Sequence, residues 1–113
     1  MITIYHNSRC QKSRTALSYL ENTGKEITII EYLKTPPSQT QLKHILQLLG
    51  IKAFDLVRKK EELYKNQFSN KQYTEKQWIK ILSENPVLIE RPIIITDKMA
   101  VIGRDEISLA KII

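Results

Sequence analysis

The chain reads as an α/β domain, one four-stranded mixed sheet flanked by helices with a helical region inserted between the strands. Three observations predict it. The opening third alternates a β-prone run, a helical period and a second β-prone run, and two parallel strands joined this way need a right-handed crossover. The middle third carries apolar residues at helical spacing, opened by capping signals and closed by Gly or Asn-Pro. The last third returns to short apolar runs broken by a polar turn, the pattern of a hairpin.

Taken in order, Ile2, Thr3, Ile4 and Tyr5 form the first predicted strand. From about residue 11, Ala16, Leu17 and Leu20 follow helical spacing, and Gly24 is the expected C-cap. Residues 27–32, from Ile27 to Tyr32, read as the second strand. After Thr35-Pro36-Pro37, Ser38 and Gln41 have capping-box spacing; Leu42, Ile45, Leu46 and Leu49 give the apolar face that follows, and Gly50 closes it. Ala53, Phe54, Leu56 and Val57 make a short apolar patch that ends in Arg58. A segment rich in Lys, Glu, Asn and Gln follows, expected as surface loop and short helix, until Thr74 and Gln77 form a second capping box. Trp78, Ile79 and Leu82 are that helix's core side, and Asn85-Pro86 stops it. Pro92 leads into Ile93-Ile94-Ile95, Thr96-Asp97-Lys98 turns the chain, and Val101-Ile102 returns before Gly103. A final helix from about Asp105 is expected to bury Ile107, Leu109, Ala110 and Ile112. With no repeat, linker or low-complexity tract, the expectation is a single domain, 1–113, whose helical insertion covers about 38–84.

Composition narrows the function classes. Eighteen Lys and Arg against twelve Asp and Glu leave a net charge of +6, which permits nucleic acid, an acidic protein or a small anion as partner. The lysines are scattered on predicted helix faces, as at Lys43, Lys52, Lys71, Lys76 and Lys80, and no nucleic-acid motif accompanies them. One Cys and two separated His fit neither a disulfide framework nor a zinc site. No apolar run approaches the roughly 20 residues of a membrane span, and no cleavable leader pattern opens the chain. The expectation is a cytoplasmic protein that binds neither membrane nor nucleic acid and acts as a monomer.

The chemistry centres on Cys10, which lies where the first strand gives way to the first helix, in the run His6-Asn7-Ser8-Arg9-Cys10-Gln11-Lys12-Ser13-Arg14. A single intracellular cysteine is commonly just a small buried hydrophobe. Here the position and neighbours favour a nucleophile. A thiol with a pKa near 8.5 is only about 3% thiolate at pH 7, but helix-start N–H groups favour the anion, and Arg9, Lys12 and Arg14 add positive charge. Lowering the pKa by about 2 units amounts to roughly 2.7 kcal/mol of preference for the thiolate and makes it the majority species. Ser13 stands three residues on, placed either to hydrogen-bond the sulfur through its hydroxyl or to cap a backbone N–H. His6 either helps depress the thiol pKa or orients the loop. Arg58, Arg91 and Arg104 stand at element ends, and guanidinium forks match tetrahedral oxyanions while staying charged when partly desolvated.

These residues resemble the ArsC family, the glutaredoxin-coupled arsenate reductases and their relatives. The likeness runs through His6-Asn7, Arg9-Cys10, Lys12-Ser13-Arg14, Tyr32-Leu33-Lys34-Thr35-Pro36-Pro37, Leu56-Val57-Arg58-Lys59, Pro86-Val87-Leu88-Ile89-Glu90-Arg91-Pro92-Ile93 and Ile102-Gly103-Arg104. It implies a thioredoxin-like fold, Cys10 as nucleophile, His6 and Ser13 as residues that tune it, and Arg58, Arg91 and Arg104 as the oxyanion-binding arginines. It also implies a cis-proline at Pro92, facing the cysteine. Ser8 stands where the familiar enzymes often have Pro, and Gln11 replaces a small residue. The implied activity is arsenate reduction with no bound cofactor, glutathione as co-substrate and glutaredoxin as partner. The residues alone lead the same way, since a lone cysteine needs an external thiol to complete a redox cycle.

Two other readings stand beside it. An Spx-like regulator would bind RNA polymerase and turn over nothing, but its usual N-terminal Cys-x-x-Cys is here Cys10 to Ser13, so no disulfide switch can form. A glutathione-dependent thiol oxidoreductase with a different substrate would use the same thiol.

Overall fold

The structure is a computed structural model and describes residues 1–104 and 106–112. The described chain divides into two compact units, one built from residues 1–35 together with those from 91 onward, the other from Pro36–Glu90.

The first unit holds the sheet. Strands β1 (Ile2–His6), β2 (Ile27–Glu31), β3 (Ile93–Ile95) and β4 (Ala100–Ile102) are ordered β2-β1-β3-β4. β1 pairs parallel with β2, in the register Ile2 to Ile27 and His6 to Glu31, and antiparallel with β3, Ile4 opposite Ile94. β3 and β4 form the expected hairpin, Ile94 opposite Val101. Being central, β1 is buried along nearly its whole length, and this is why it reads as a continuous apolar run. β2 lies at the edge and shows an exposed Thr28 and Ile29. Tyr32 falls just past β2 and is nonetheless buried.

Helix α1 (Gln11–Glu21) makes the crossover and buries Ser13, Ala16 and Leu20. Ile2, Ile4, Ala16, Leu20, Ile94, Leu109 and Ile112 form one buried cluster, with Leu17, Tyr19, Ile27, Met99 and Val101 packed against it. The helix ends earlier than Gly24 suggests: its C-cap is Asn22, and Gly24, at φ +74°, turns the chain two residues later with its N–H on the Glu21 carbonyl. Helix α4 (Glu106–Ala110) closes the unit. The expected start at Asp105 lies outside the described residues. Leu109 and Ile112 are buried as expected, whereas Ile107 and Ala110 face solvent, because so short a helix has only one narrow face to lay on the sheet.

The second unit is the inserted region. Helix α2 (Gln39–Leu49) carries the Ser38/Gln41 capping box and ends on Gly50 in the left-handed conformation, φ 70°, ψ 31°. Helix α3 (Glu75–Glu84) carries the Thr74/Gln77 box, stops at Asn85 and buries Trp78, Ile79 and Leu82. Between them Ala53–Leu56 is a 3₁₀ turn, and Tyr64–Phe68 a single π-helical turn. Val57 and Ile89 form an isolated antiparallel bridge, and the Arg58 N–H donates to the Leu88 carbonyl at 2.6 Å. No described helix is long and apolar enough to cross a membrane.

Candidate active site

The loop from β1 into α1 is built by its own short side chains. The Cys10 N–H donates to the Asn7 carbonyl at 3.0 Å, and the Asn7 Oδ1 accepts from the Arg9 N–H at 3.0 Å. Arg14 reaches back so that Nη1 donates to the Ser8 carbonyl at 2.9 Å. Asn7 and Arg14 therefore shape the turn, roles the sequence reading does not assign to them. The habit of Asn to bond a backbone N–H two residues ahead is the signal that points to the first.

Cys10 is the N-cap of α1, in extended backbone (φ −98°, ψ 122°), with no side-chain cap bond and no acidic residue in the helix's first turn. Its thiol is a free, partly buried group. Burial alone would raise the thiol pKa; the Ser13 N–H, the Arg91 charge, the Lys12 N–H and a hydrogen bond from the Arg91 side chain together outweigh it, and the thiol is held below its ordinary value.

The Ser13 hydroxyl serves a backbone N–H rather than the sulfur, although that N–H is in the loop and not in the helix. The Oγ is fully buried, 2.6 Å from His6 Nδ1, and accepts from the Asn7 N–H at 3.0 Å. The sulfur therefore meets the Ser13 backbone N–H, while the hydroxyl is turned inward and locks strand end to helix start. His6 is buried and its pKa is lowered, first by desolvation and also by Arg14, against the opposing pull of Glu31 and Glu21. The structure thus places the His6 ring against the Ser13 hydroxyl.

Arg91 begins the return to the sheet, two residues before β3, and its peptide bond to Pro92 is cis. The residue is 9% exposed, and Nε and Nη1 are buried with no hydrogen-bond partner among the described residues. A buried guanidinium with unmet donors is costly unless an anion accepts from it. Together with the thiol and the helix-start N–H groups, it is the chemistry of a site that takes a compact anion with several acceptor oxygens.

Arg104 follows β4 and is exposed; its carbonyl accepts from Lys12 Nζ at 3.5 Å. Arg58 belongs to the inserted unit, where its Nη1 donates to Glu61 Oε2 at 3.0 Å. Within the sheet unit, then, Cys10, His6, Ser13 and Arg91 are in direct contact or one residue removed from it. Lys12 brings the backbone at Arg104 to the first turn of α1. No group of three or more His, Cys, Asp and Glu suited to a metal ion occurs among the described residues.

A thiol at the start of a helix that leaves a central strand of a four-stranded mixed sheet, with a cis-proline just before the β3-β4 hairpin, defines a thioredoxin-like protein. The chain belongs to the ArsC family, whose sequence profile matches residues 5–112. It is 40% identical over 105 residues to the uncharacterized protein YfgD of Escherichia coli K12, covering 91% of this chain and 88% of that one. It is 39% identical to an arsenate reductase of Neisseria meningitidis serogroup A, covering 91% and 90%. The structure of an arsenate reductase from Vibrio cholerae superposes with a TM-score of 0.93 at 38% identity, covering 99% of this chain and 97% of that one.

Proposed function

We propose that this chain is an arsenate reductase whose Cys10 thiolate attacks arsenate and whose cycle is completed by glutathione and a glutaredoxin. The observation that carries this reading is the environment of Cys10: an N-cap thiol supplied with two backbone N–H groups and the Arg91 guanidinium, beside unmet buried donors on the same arginine.

Arg91 and Arg104 hold the oxyanion in this proposal; Arg58 enters it through the family resemblance alone. The thiolate attacks arsenic, an S–As bond forms, and one arsenate oxygen leaves as water after taking up protons. The thiolate of glutathione then attacks the Cys10 sulfur. The S–As bond breaks with its electron pair on arsenic, which departs as arsenite, while the two sulfurs are joined as a disulfide. Arsenic gains two electrons and the sulfur pair loses two. A glutaredoxin thiol then takes the glutathione sulfur and frees Cys10 as thiolate. The chain has one cysteine, so the second sulfur has to come from outside.

The test is arsenite production by the purified chain with arsenate, glutathione and glutaredoxin. Turnover is expected to require both thiol components and to vanish in Cys10→Ser, with mass spectrometry finding glutathione on Cys10 when glutaredoxin is withheld. Arsenite formation that persists in Cys10→Ser overturns the proposal. Turnover of a glutathionylated peptide far faster than that of arsenate would move the substrate while keeping the nucleophile.

A further inference from the structure

Lys12 is a cation in the first turn of α1, where the helix dipole favours acids. Its backbone N–H serves the Cys10 sulfur, and its side chain leaves the helix to reach the Arg104 carbonyl, 92 residues away in sequence, at 3.5 Å.

The other side of Arg104 is anchored in the core. The Gly103 N–H donates to the Pro92 carbonyl at 2.8 Å, and the Arg104 N–H folds back on the Ile102 carbonyl at 3.0 Å. Gly103 is closely packed: a Cβ there would lie 2.5 Å from Ile94 Cδ1 and 3.0 Å from Leu109 Cδ2, so the ends of those side chains would have to shift. Arg104 thus emerges from a backbone seated on β3 and α4, and its carbonyl is met by Lys12. The contacts form a circuit. Arg91 is bonded to Pro92, Pro92 holds Gly103, Gly103 leads to Arg104, and Lys12 ties Arg104 back to the turn that carries the thiol.

We propose that Lys12 is a positioning residue, whose ammonium braces the backbone at Arg104 against the first turn of α1 and so sets the register between that arginine and Cys10. Its consequence for anion binding rests on the oxyanion reading above; the brace itself does not. Only the side chain is involved, so Lys12→Met keeps the N–H that faces the sulfur.

The experiment combines three measurements on the full chain. The first is the arsenate concentration that half-protects Cys10 from iodoacetamide. The second is the thiolate midpoint from ultraviolet absorbance. The third is amide exchange at Gly103 and Arg104. Because the contact is long and exposed, Lys12→Met is expected to weaken protection by about threefold. Exchange at both amides should quicken, the thiolate midpoint should stay in place, and Lys12→Arg should restore protection. In Lys12→Met/Arg104→Met the loss should be no greater than in Arg104→Met alone. Unchanged protection and exchange in Lys12→Met overturn the brace, as does a shift in thiolate midpoint large enough to explain the whole loss. If arsenate fails to protect the unaltered chain, the oxyanion reading falls, and exchange alone decides: faster in Lys12→Met supports the brace, unchanged overturns it.

Discussion

The starts of α1 and α3 solve the same problem in opposite ways. At α3 the Gln77 N–H donates to Thr74 Oγ1 at 3.2 Å, the Thr74 N–H donates to Gln77 Oε1 at 2.8 Å, and Glu75 supplies an acid to the first turn. That end is closed by its own side chains, as is α2 by Ser38 and Gln41. At α1 the cap is a cysteine without a cap bond, no acid is present, and the first-turn N–H groups of Lys12 and Ser13 face a sulfur. Every helix start has orphan donors. At α2 and α3 they are met by the helix's own side chains, and at α1 they are left to the sulfur, as the proposed thiolate requires.

The largest expected effect that sharpens this contrast is at Arg91. Arg91→Met should raise the thiolate midpoint and lower arsenate turnover by about a hundredfold or more, the scale of losing a preorganised donor to developing charge. Thermal stability should not fall, since the variant removes a buried guanidinium with two unmet nitrogens. A variant that melts earlier while keeping its thiolate midpoint would make Arg91 a structural residue and break the comparison.

Next comes a pair of cap substitutions with opposite signs. Thr74→Ala should cost about 1 kcal/mol in denaturant unfolding and leave Cys10 alkylation unchanged. Cys10→Asp should abolish alkylation and stabilise the fold by about 0.5–1 kcal/mol, because it gives α1 the cap and the first-turn charge it lacks. A destabilised Cys10→Asp would mean that the α1 start is not held open for the thiolate.

The smallest effect is in the pH dependence of stability. Cys10 titrates lower in the folded chain than an ordinary thiol does. The unfolded chain therefore binds the proton more readily between the two values. This contribution is fully present above the unfolded value and is lost as pH falls through the folded one. Unfolding titrations should show stability rising with pH across that window, and Cys10→Ala should flatten the rise. An identical slope in both proteins would contradict a depressed thiol.

Much of the fold was legible because its signals are local. The Ser38/Gln41 and Thr74/Gln77 boxes and the Gly50 stop are contacts within one helical turn, so spacing reveals them. Cys10 at the junction of β1 and α1 was legible for the same reason. The orientation of Ser13 was not: its hydroxyl could serve the sulfur or a backbone N–H, and what settled it was the burial of His6 at the end of β1, seven residues back. Ile107 and Ala110 show the other limit, since apolar residues in a short helix do not reveal which face meets the sheet.

By itself the sequence determined the order of strands and helices, the caps, and the placing of a lone thiol at a helix start, all properties of neighbouring residues. Only the tertiary structure decided that Arg91 is buried beside that thiol with donors unmet, that Gly103 packs against the Ile94 side chain, and that Lys12 reaches the Arg104 carbonyl. The first and last join segments about 80 and 92 residues apart, and the second lies across the β3-β4 hairpin; no spacing rule encodes them. The two long-range contacts follow from the pairing of β1 with β3, which brings residues near both ends of the chain into one sheet.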